Sequence, residues 1–267
     1  MIEPAQAFWL ALVQGVTEFL PISSSAHLVI PSLVLGWQDE GLTFDVAVHV
    51  GTLLAVVLYY RRDLCAMACS CLGLLQGRGR NEDTRLVLYL ALATVPVCVV
   101  GFLADDVIES QLRTLPVIAT TTLLFGLLLG LADRHARHAA SFATLTLGIA
   151  LAIGLAQALA PVPGVSRSGV TLTAGLLLGL DRGTAARFAF LLSIPVIAGA
   201  GLLKGVQLVQ ASAAVDWVLM LSAALLAAVT AYACIGLFLR LLERVGLMPF
   251  VYYRIALAAV LYALWLF

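Results

Sequence analysis

Residues 86–104, 114–132, 139–166 and 217–239 contain no Asp, Glu, Lys or Arg. Each run reaches the roughly 20 residues with which an α-helix crosses about 30 Å of hydrocarbon. Lipid offers no partners to backbone N–H and C=O groups, so a spanning chain is either helical or a closed barrel. A barrel would show segments of about ten residues alternating apolar and polar, and none is present. The chain therefore reads as an all-α integral membrane protein. Its 11% of charged residues agrees, since a soluble domain averages about 25%. A formal net charge of zero argues against a nucleic-acid partner, which needs a concentrated excess of Lys and Arg.

Breaks at Pro, Gly and charge clusters divide the chain into about ten helical segments: 5–20, 26–36, 44–60, 86–103, 115–131, 142–160, 167–180, 185–203, 217–240 and 250–267. Two pairs, 5–20 with 26–36 and 142–160 with 167–180, are each interrupted by a Pro/Ser/Gly cluster and have a member too short to cross. They read as re-entrant helix–loop–helix hairpins. The opening Met-Ile-Glu-Pro has no basic leader, so the first segment is expected to stay in the fold rather than be cleaved as a signal peptide. Cys65, Cys69, Cys71, Cys98 and Cys234 lie in apolar surroundings without CxxC spacing and read as small buried hydrophobes.

The two halves of this single membrane domain, roughly 1–135 and 136–267, echo one another. "PISSSA" (21–26) aligns with "PGVSRS" (163–168), which sets Ser24 opposite Ser166; Phe44 precedes Gly51 as Phe188 precedes Pro195; Pro116 and Pro249 each open the last helix of their half. One hairpin and three full spans per half, about six spans in all, make the second half an inverted repeat of the first. Positive charge supports this count. Arg61, Arg62, Arg78, Arg80 and Arg85, Arg134 and Arg137, Arg182 and Arg187, and Arg240 and Arg244 all fall in loops of one, cytoplasmic, side. The opposite loops hold Asp39, Glu40, Asp105, Asp106 and Glu109, with Arg113 and Lys204 as their cations. Both termini then face outward, and the two serine loops enter from opposite leaflets and meet near the midplane.

A charge at the centre of a membrane helix costs on the order of 3 kcal/mol, so an intramembrane ionisable group has a partner or a task. Glu18 follows Gln14 by one helical turn at the edge of the first loop, and Arg167 sits in the second. These two alone could be a pair that merely locks the hairpins. Their company points further: Ser23, Ser24, Ser25 and His27 in one loop, and Ser166, Ser168 and Thr171 in the other. Gly164 and Gly169 let the backbone approach a ligand, amides opening segment 167–180 carry partial positive charge, and Arg167 offers a planar fork. The cluster reads as an oxyanion site suited to phosphate, pyrophosphate or carboxylate. A serine nucleophile needs a base, and His27 and Glu18 are the groups near Ser24 in sequence that could take its proton. His49 reads as structural, His135 and His138 as solvated, and Asp45 as a helix N-terminal charge. No zinc spacing, GxGxxG or Walker sequence is present; a divalent cation, Mg²⁺ or Ca²⁺, could bind between Glu18 and a diphosphate.

"QGVTEFLPISSSAH" (14–27) and "PGVSRSGVT" (163–171) resemble the two signature motifs of the bacterial undecaprenyl-diphosphate phosphatases, the integral membrane family linked to bacitracin resistance. The likeness continues through "FDVAVHVGTLLAVVLYYRRDL" (44–64), "RFAFLLSIPVIAGA" (187–200) and "PFVYYRIALAA" (249–259). The resemblance implies residence in the bacterial cytoplasmic membrane and removal of the terminal phosphate of undecaprenyl diphosphate, giving the carrier used in peptidoglycan synthesis. It places the essential carboxylate on Glu18, the proposed nucleophile on Ser24, the proposed catalytic histidine on His27, and Ser166, Arg167 and Thr171 around the phosphate. Gln14 stands where many relatives carry glutamate, which weakens a two-carboxylate metal site, and Ser25-Ala26 replaces a common Thr-Gly. Expected partners are the lipid diphosphate and membrane lipids, with a homodimer compatible. The alternative class is a transporter or flippase of a phosphorylated lipid, because half-helices meeting at the midplane are transporter architecture.

Overall fold

The computed structural model describes residues 3–37, 41–136, 145–211 and 216–267; Asp39, Glu40, Arg137, His138 and the start of the segment expected at 142–160 lie outside them. The described chain is helical: α1 (Pro4–Thr17), α2 (Ser24–Leu35), α3 (Gly41–Tyr59), α4 (Arg61–Leu75), α5 (Glu82–Val107), α6 (Leu115–His135), α7 (Leu147–Gln157), α8 (Arg167–Leu177), α9 (Arg182–Ala211), α10 (Trp217–Val245) and α11 (Met248–Leu266). A single π-helical turn, Ile108–Leu112, extends α5.

The ends of these helices follow from their sequences. Proline opens α1, α6 and α11, where its missing N–H costs no hydrogen bond. Asn81 and Thr84 form a reciprocal capping box at the start of α5. Gly36 ends α2 at φ 66°, a left-handed conformation that suits glycine. Helices α5, α6, α9, α10 and α11 are long and apolar enough to cross a membrane, and α3 with α4 makes a sixth if that pair, bent by 74°, counts as one span. Segment α4 departs from the expected loop over 61–85. It is a short helix turned aside at Tyr60, with Met67 and Gly73 buried and Arg61, Arg62, Leu72, Leu74 and Leu75 exposed. The cysteines depart from expectation as well: Cys65, Cys69 and Cys98 are exposed and Cys71 and Cys234 half-buried, because they lie on helix faces that the bundle leaves wholly or partly uncovered.

Packing between helices has a two-fold pattern. Helix α1 packs on α10 as α7 packs on α5; α3 packs on α10 as α9 packs on α5; α6 meets α11, and α3 meets α9. Each half thus holds one hairpin (α1–α2, α7–α8) and three crossing helices (α3, α5, α6; α9, α10, α11), and the odd number of crossings inverts the second half. The register of the repeat differs by one residue from the sequence alignment. Ser23 and Ser166 occupy the same place: both are N-caps, at φ 73° and φ 70°, and each side chain accepts the backbone N–H three residues on. Ser24 is therefore the counterpart of Arg167, not of Ser166. Gln14 and Gln157, each fully buried on the first helix of its hairpin, match in the same register.

At one end of the bundle Arg182 Nε donates to Asp133 Oδ1 at 2.6 Å, Leu247 N–H donates to Asp133 Oδ2 at 3.2 Å, and Arg187 pairs with Asp63. This is the arginine-rich end. At the other, Lys204 on α9 pairs with Asp105 on α5 at 3.2 Å.

Candidate active site

Helix α1 stops at Thr17, so Glu18 is its C-cap and stands at the mouth of the first loop, 8% exposed. Helix α2 starts at Ser24, and α8 starts at Arg167. Both first residues follow a serine with positive φ, a conformation uncommon outside glycine, which turns the chain sharply into the helix. Side-chain caps at Ser23 and Ser166 satisfy the N–H groups of Ala26 and Gly169. The backbone N–H groups of Ser24, Ser25, Arg167 and Ser168 bond to no other described residue. Two helix N-termini with unused amides therefore lie against one space, an arrangement that favours an anion.

Glu18 organises that space. Ser24 Oγ donates to its Oε2 at 2.6 Å, Gln14 Nε2 donates to the same oxygen at 3.0 Å, and Arg167 Nη2 donates to Oε1 at 3.1 Å. Arg167 Nη1 also donates to the Ala189 carbonyl at 3.3 Å, and its guanidinium lies 5.8 Å from the centroid of the Phe19 ring. Phe19 meets Phe190 edge to face at 5.4 Å, so the base of the site is apolar and excludes water.

Glu18, Ser23, Ser24, Ser25, His49, Ser166 and Arg167 line one end of a cavity of about 500 Å³. Ala160 and Pro161 of the second loop also line it, and two apolar helix faces wall the rest: Val97, Cys98, Gly101 and Phe102 on α5, and Val196, Ile197, Gly199, Ala200 and Leu203 on α9. The ion pair of Asp105 and Lys204 also lines it, at the end of the bundle opposite the arginine-rich loops.

The structure thus brings Ser24, Glu18 and Arg167 together from opposite hairpins. Other candidates sit behind the wall. Gln14 is buried against Glu18; Gly164 N–H donates to Ser23 Oγ at 3.2 Å; Ser168 Oγ donates to the Leu20 carbonyl at 2.8 Å; Thr171 Oγ1 donates to the Arg167 carbonyl at 2.8 Å. These contacts hold the two loops to each other and to their helices. His27 requires a correction. Counted along α2 it lies a turn from Ser24, yet its Nδ1 meets the Ser23 carbonyl at 2.7 Å and its Nε2 meets the Tyr253 hydroxyl at 2.6 Å. Its ring stacks on Tyr253 and takes no part in lining the cavity. His27 faces Tyr253 on α11, and with both ring nitrogens engaged there and at the Ser23 carbonyl it is not bonded to the Ser24 hydroxyl one turn back.

Two residues were not among the sequence candidates. His49 on α3 lines the cavity with Nε2 3.9 Å from Glu18 Oε2, too far for a hydrogen bond but close enough for charge to be felt. Its Nδ1 is held by Asp45, at 2.8 Å from the carbonyl and 3.3 Å from Oδ1. The spacing of Asp45 and His49, one helical turn, was the available signal. The second is Arg254 on α11, fully buried, whose guanidinium donates to backbone carbonyls of both loops. For a divalent cation the side chains present are few. Both Glu18 oxygens already accept protein donors, and no group of three His, Cys, Asp or Glu gathers among the described residues.

Fold and site together define an inverted-repeat, multi-pass membrane protein built around a polar centre that holds a hydroxyl against a buried carboxylate. The model of the family described as bacitracin resistance protein BacA matches residues 7–260, and the chain belongs to that family. The undecaprenyl-diphosphatase of Alcanivorax borkumensis is 58% identical over 256 residues, 96% of this chain and 97% of that protein. Those of Teredinibacter turnerae and Hahella chejuensis are each 54% identical, over 95% and 97% of this chain and 96% of each relative.

Proposed function

We propose that this protein hydrolyses undecaprenyl diphosphate to undecaprenyl phosphate and inorganic phosphate at the cavity between the hairpins. The observation that carries the reading is the single carboxylate of Glu18, which accepts the Ser24 hydroxyl on one oxygen and the Arg167 guanidinium on the other.

In this mechanism the loop amides and the remaining N–H donors of Arg167 hold the terminal phosphate. Ser24 Oγ attacks the terminal phosphorus while Glu18 takes its proton. The bond from that phosphorus to the bridging oxygen breaks, and the lipid monophosphate leaves with the bond's electron pair. A phosphate monoester is a stable anion, so departure needs no strong acid. Glu18, now protonated, returns its proton to the departing oxygen; as carboxylate again, it accepts a proton from the water that attacks the phosphoserine. The bond from Ser24 Oγ to phosphorus breaks, Glu18 returns that proton to Oγ, and inorganic phosphate and free Ser24 result. The apolar faces of α5 and α9 suit the first isoprene units of the tail. The cavity's position at the end with Asp105 and Lys204, away from the arginine-rich loops, favours entry from the outer face. A divalent cation arriving with the diphosphate would meet Glu18 as its protein ligand and would supply charge neutralisation. A homodimer belongs to this proposal and is tested by mass in detergent.

The test is phosphate release by the purified protein in detergent from lipid diphosphates of different tail length, with and without chelator. Release supports hydrolysis, because transport across a membrane cannot occur there. An inactive, folded protein that instead moves the lipid across vesicles would favour a carrier.

A further inference from the structure

Arg254 is the largest fully buried side chain described, and every hydrogen bond it makes is to backbone carbonyl oxygen. Nη1 donates to Pro21 at 3.1 Å and Val165 at 3.2 Å; Nη2 donates to Gly164 at 2.7 Å, Val165 at 3.2 Å and Thr121 at 3.5 Å; Nε donates to Thr122 at 3.1 Å. Among the described residues no carboxylate pairs with it. A buried guanidinium without a counter-ion is costly, and a merely apolar crossing of α6 and α11 would have no use for one.

Its position shows what it does. Pro21 lies in the loop that ends at Ser24, and Gly164 and Val165 lie in the loop that ends at Arg167. The planar fork thus joins the nucleophile loop to the arginine loop and anchors both to the rigid helix α6. Because a trans peptide points its C=O and the following N–H in opposite directions, drawing the Val165 carbonyl toward Arg254 turns the Ser166 N–H away from it, and Ser166 is a cavity residue. Space has been cleared for the guanidinium: a Cβ on Gly169 would stand 3.1 Å from Nη1, and one on Gly126 would stand 3.0 Å from Arg254 Cβ and 3.3 Å from Nε.

We infer that Arg254 is a positioning residue for the phosphoryl transfer: it sets the distance between the Ser24 loop and the Arg167 loop by holding their carbonyls in one fork. The inference rests on the hydrolase reading above. Lysine keeps the charge but cannot bridge five carbonyl groups with a fixed fork.

The experiment compares purified wild type, Arg254→Lys and Gly126→Ala for folding (thermal unfolding and a monodisperse peak in detergent) and for kcat and KM on undecaprenyl diphosphate per folded molecule. Arg254→Lys is expected to lose about 100-fold in kcat with KM within about threefold, because misplacement of reacting groups by about 1 Å acts on the chemical step. Gly126→Ala, which favours the helix and pushes on the arginine by a few tenths of an ångström, is expected to lose about tenfold in kcat. A purely structural role would lower the folded fraction and leave kcat per folded molecule unchanged. Folded variants that turn over within about threefold of wild type overturn the inference, and Gly126→Ala decides alone if Arg254→Lys does not fold. A wild-type protein that releases no phosphate defeats the hydrolase reading instead.

Discussion

Ser24 Oγ lies 2.6 Å from Glu18 Oε2, in the range of a hydroxyl donating to an ionised carboxylate, and the other oxygen of that carboxylate holds Arg167 from the opposite half of the chain. One anion therefore aims a hydroxyl and orients a guanidinium at once. Arg167 relieves the cost of burying Glu18, and Glu18 keeps Arg167 extended until a phosphate arrives.

Glu18→Gln retains the shape but removes the proton acceptor. The expected result is a fall in kcat of about 10² to 10⁴ with KM unchanged or lower, since Arg167 loses a competing anion. Steady-state phosphate release checks it; a raised KM with normal kcat would contradict it.

Arg167→Lys preserves charge and loses the second N–H arm that reaches Ala189 or a phosphate oxygen. A loss of about 10- to 100-fold in kcat/KM is expected. Wild-type turnover would show that the fork is not used.

His27 is bonded to the Ser23 carbonyl, one residue from the nucleophile, and to Tyr253. His27→Ala should lower kcat by loosening Ser23, without changing the shape of the pH–rate profile. His27→Asn, able to donate to the same carbonyl, should recover most of the loss. A profile that loses one limb in His27→Ala would make this histidine a proton carrier after all.

Gly101 borders the cavity on α5 and has open space where a side chain would begin. Gly101→Trp should fold and raise KM for undecaprenyl diphosphate by about tenfold while sparing a short-chain diphosphate. Equal effects on both substrates would remove the tail from this groove.

Charge-free runs and the arginine side bias made the helical bundle, its hairpins and its inversion legible, because lipid leaves so few ways to satisfy a backbone. Helix α4 was not, since its arginines and scattered leucines suit a helix lying aside from the bundle and imitate a charged loop when counted by breaks. In the site, Ser24, Glu18 and Arg167 announce themselves as polar groups with no business in hydrocarbon. His27 misled because spacing along a helix does not name partners: the Ser23 carbonyl and, from α11, the Tyr253 hydroxyl take its two ring nitrogens. The repeats were displaced by one residue because Pro21 stands two residues before its capping serine and Pro163 three, so matching the prolines sets Ser24 against Ser166. His49 and Arg254 reach the site or its loops from α3 and α11, and such long-range meetings leave no trace in local spacing.

The most direct measurement is phosphate release from undecaprenyl diphosphate by folded, purified Ser24→Ala, compared with wild type. Loss of about 10³-fold or more is expected if Ser24 Oγ forms the bond to phosphorus. Release within about tenfold of wild type would contradict it and assign the attack to water.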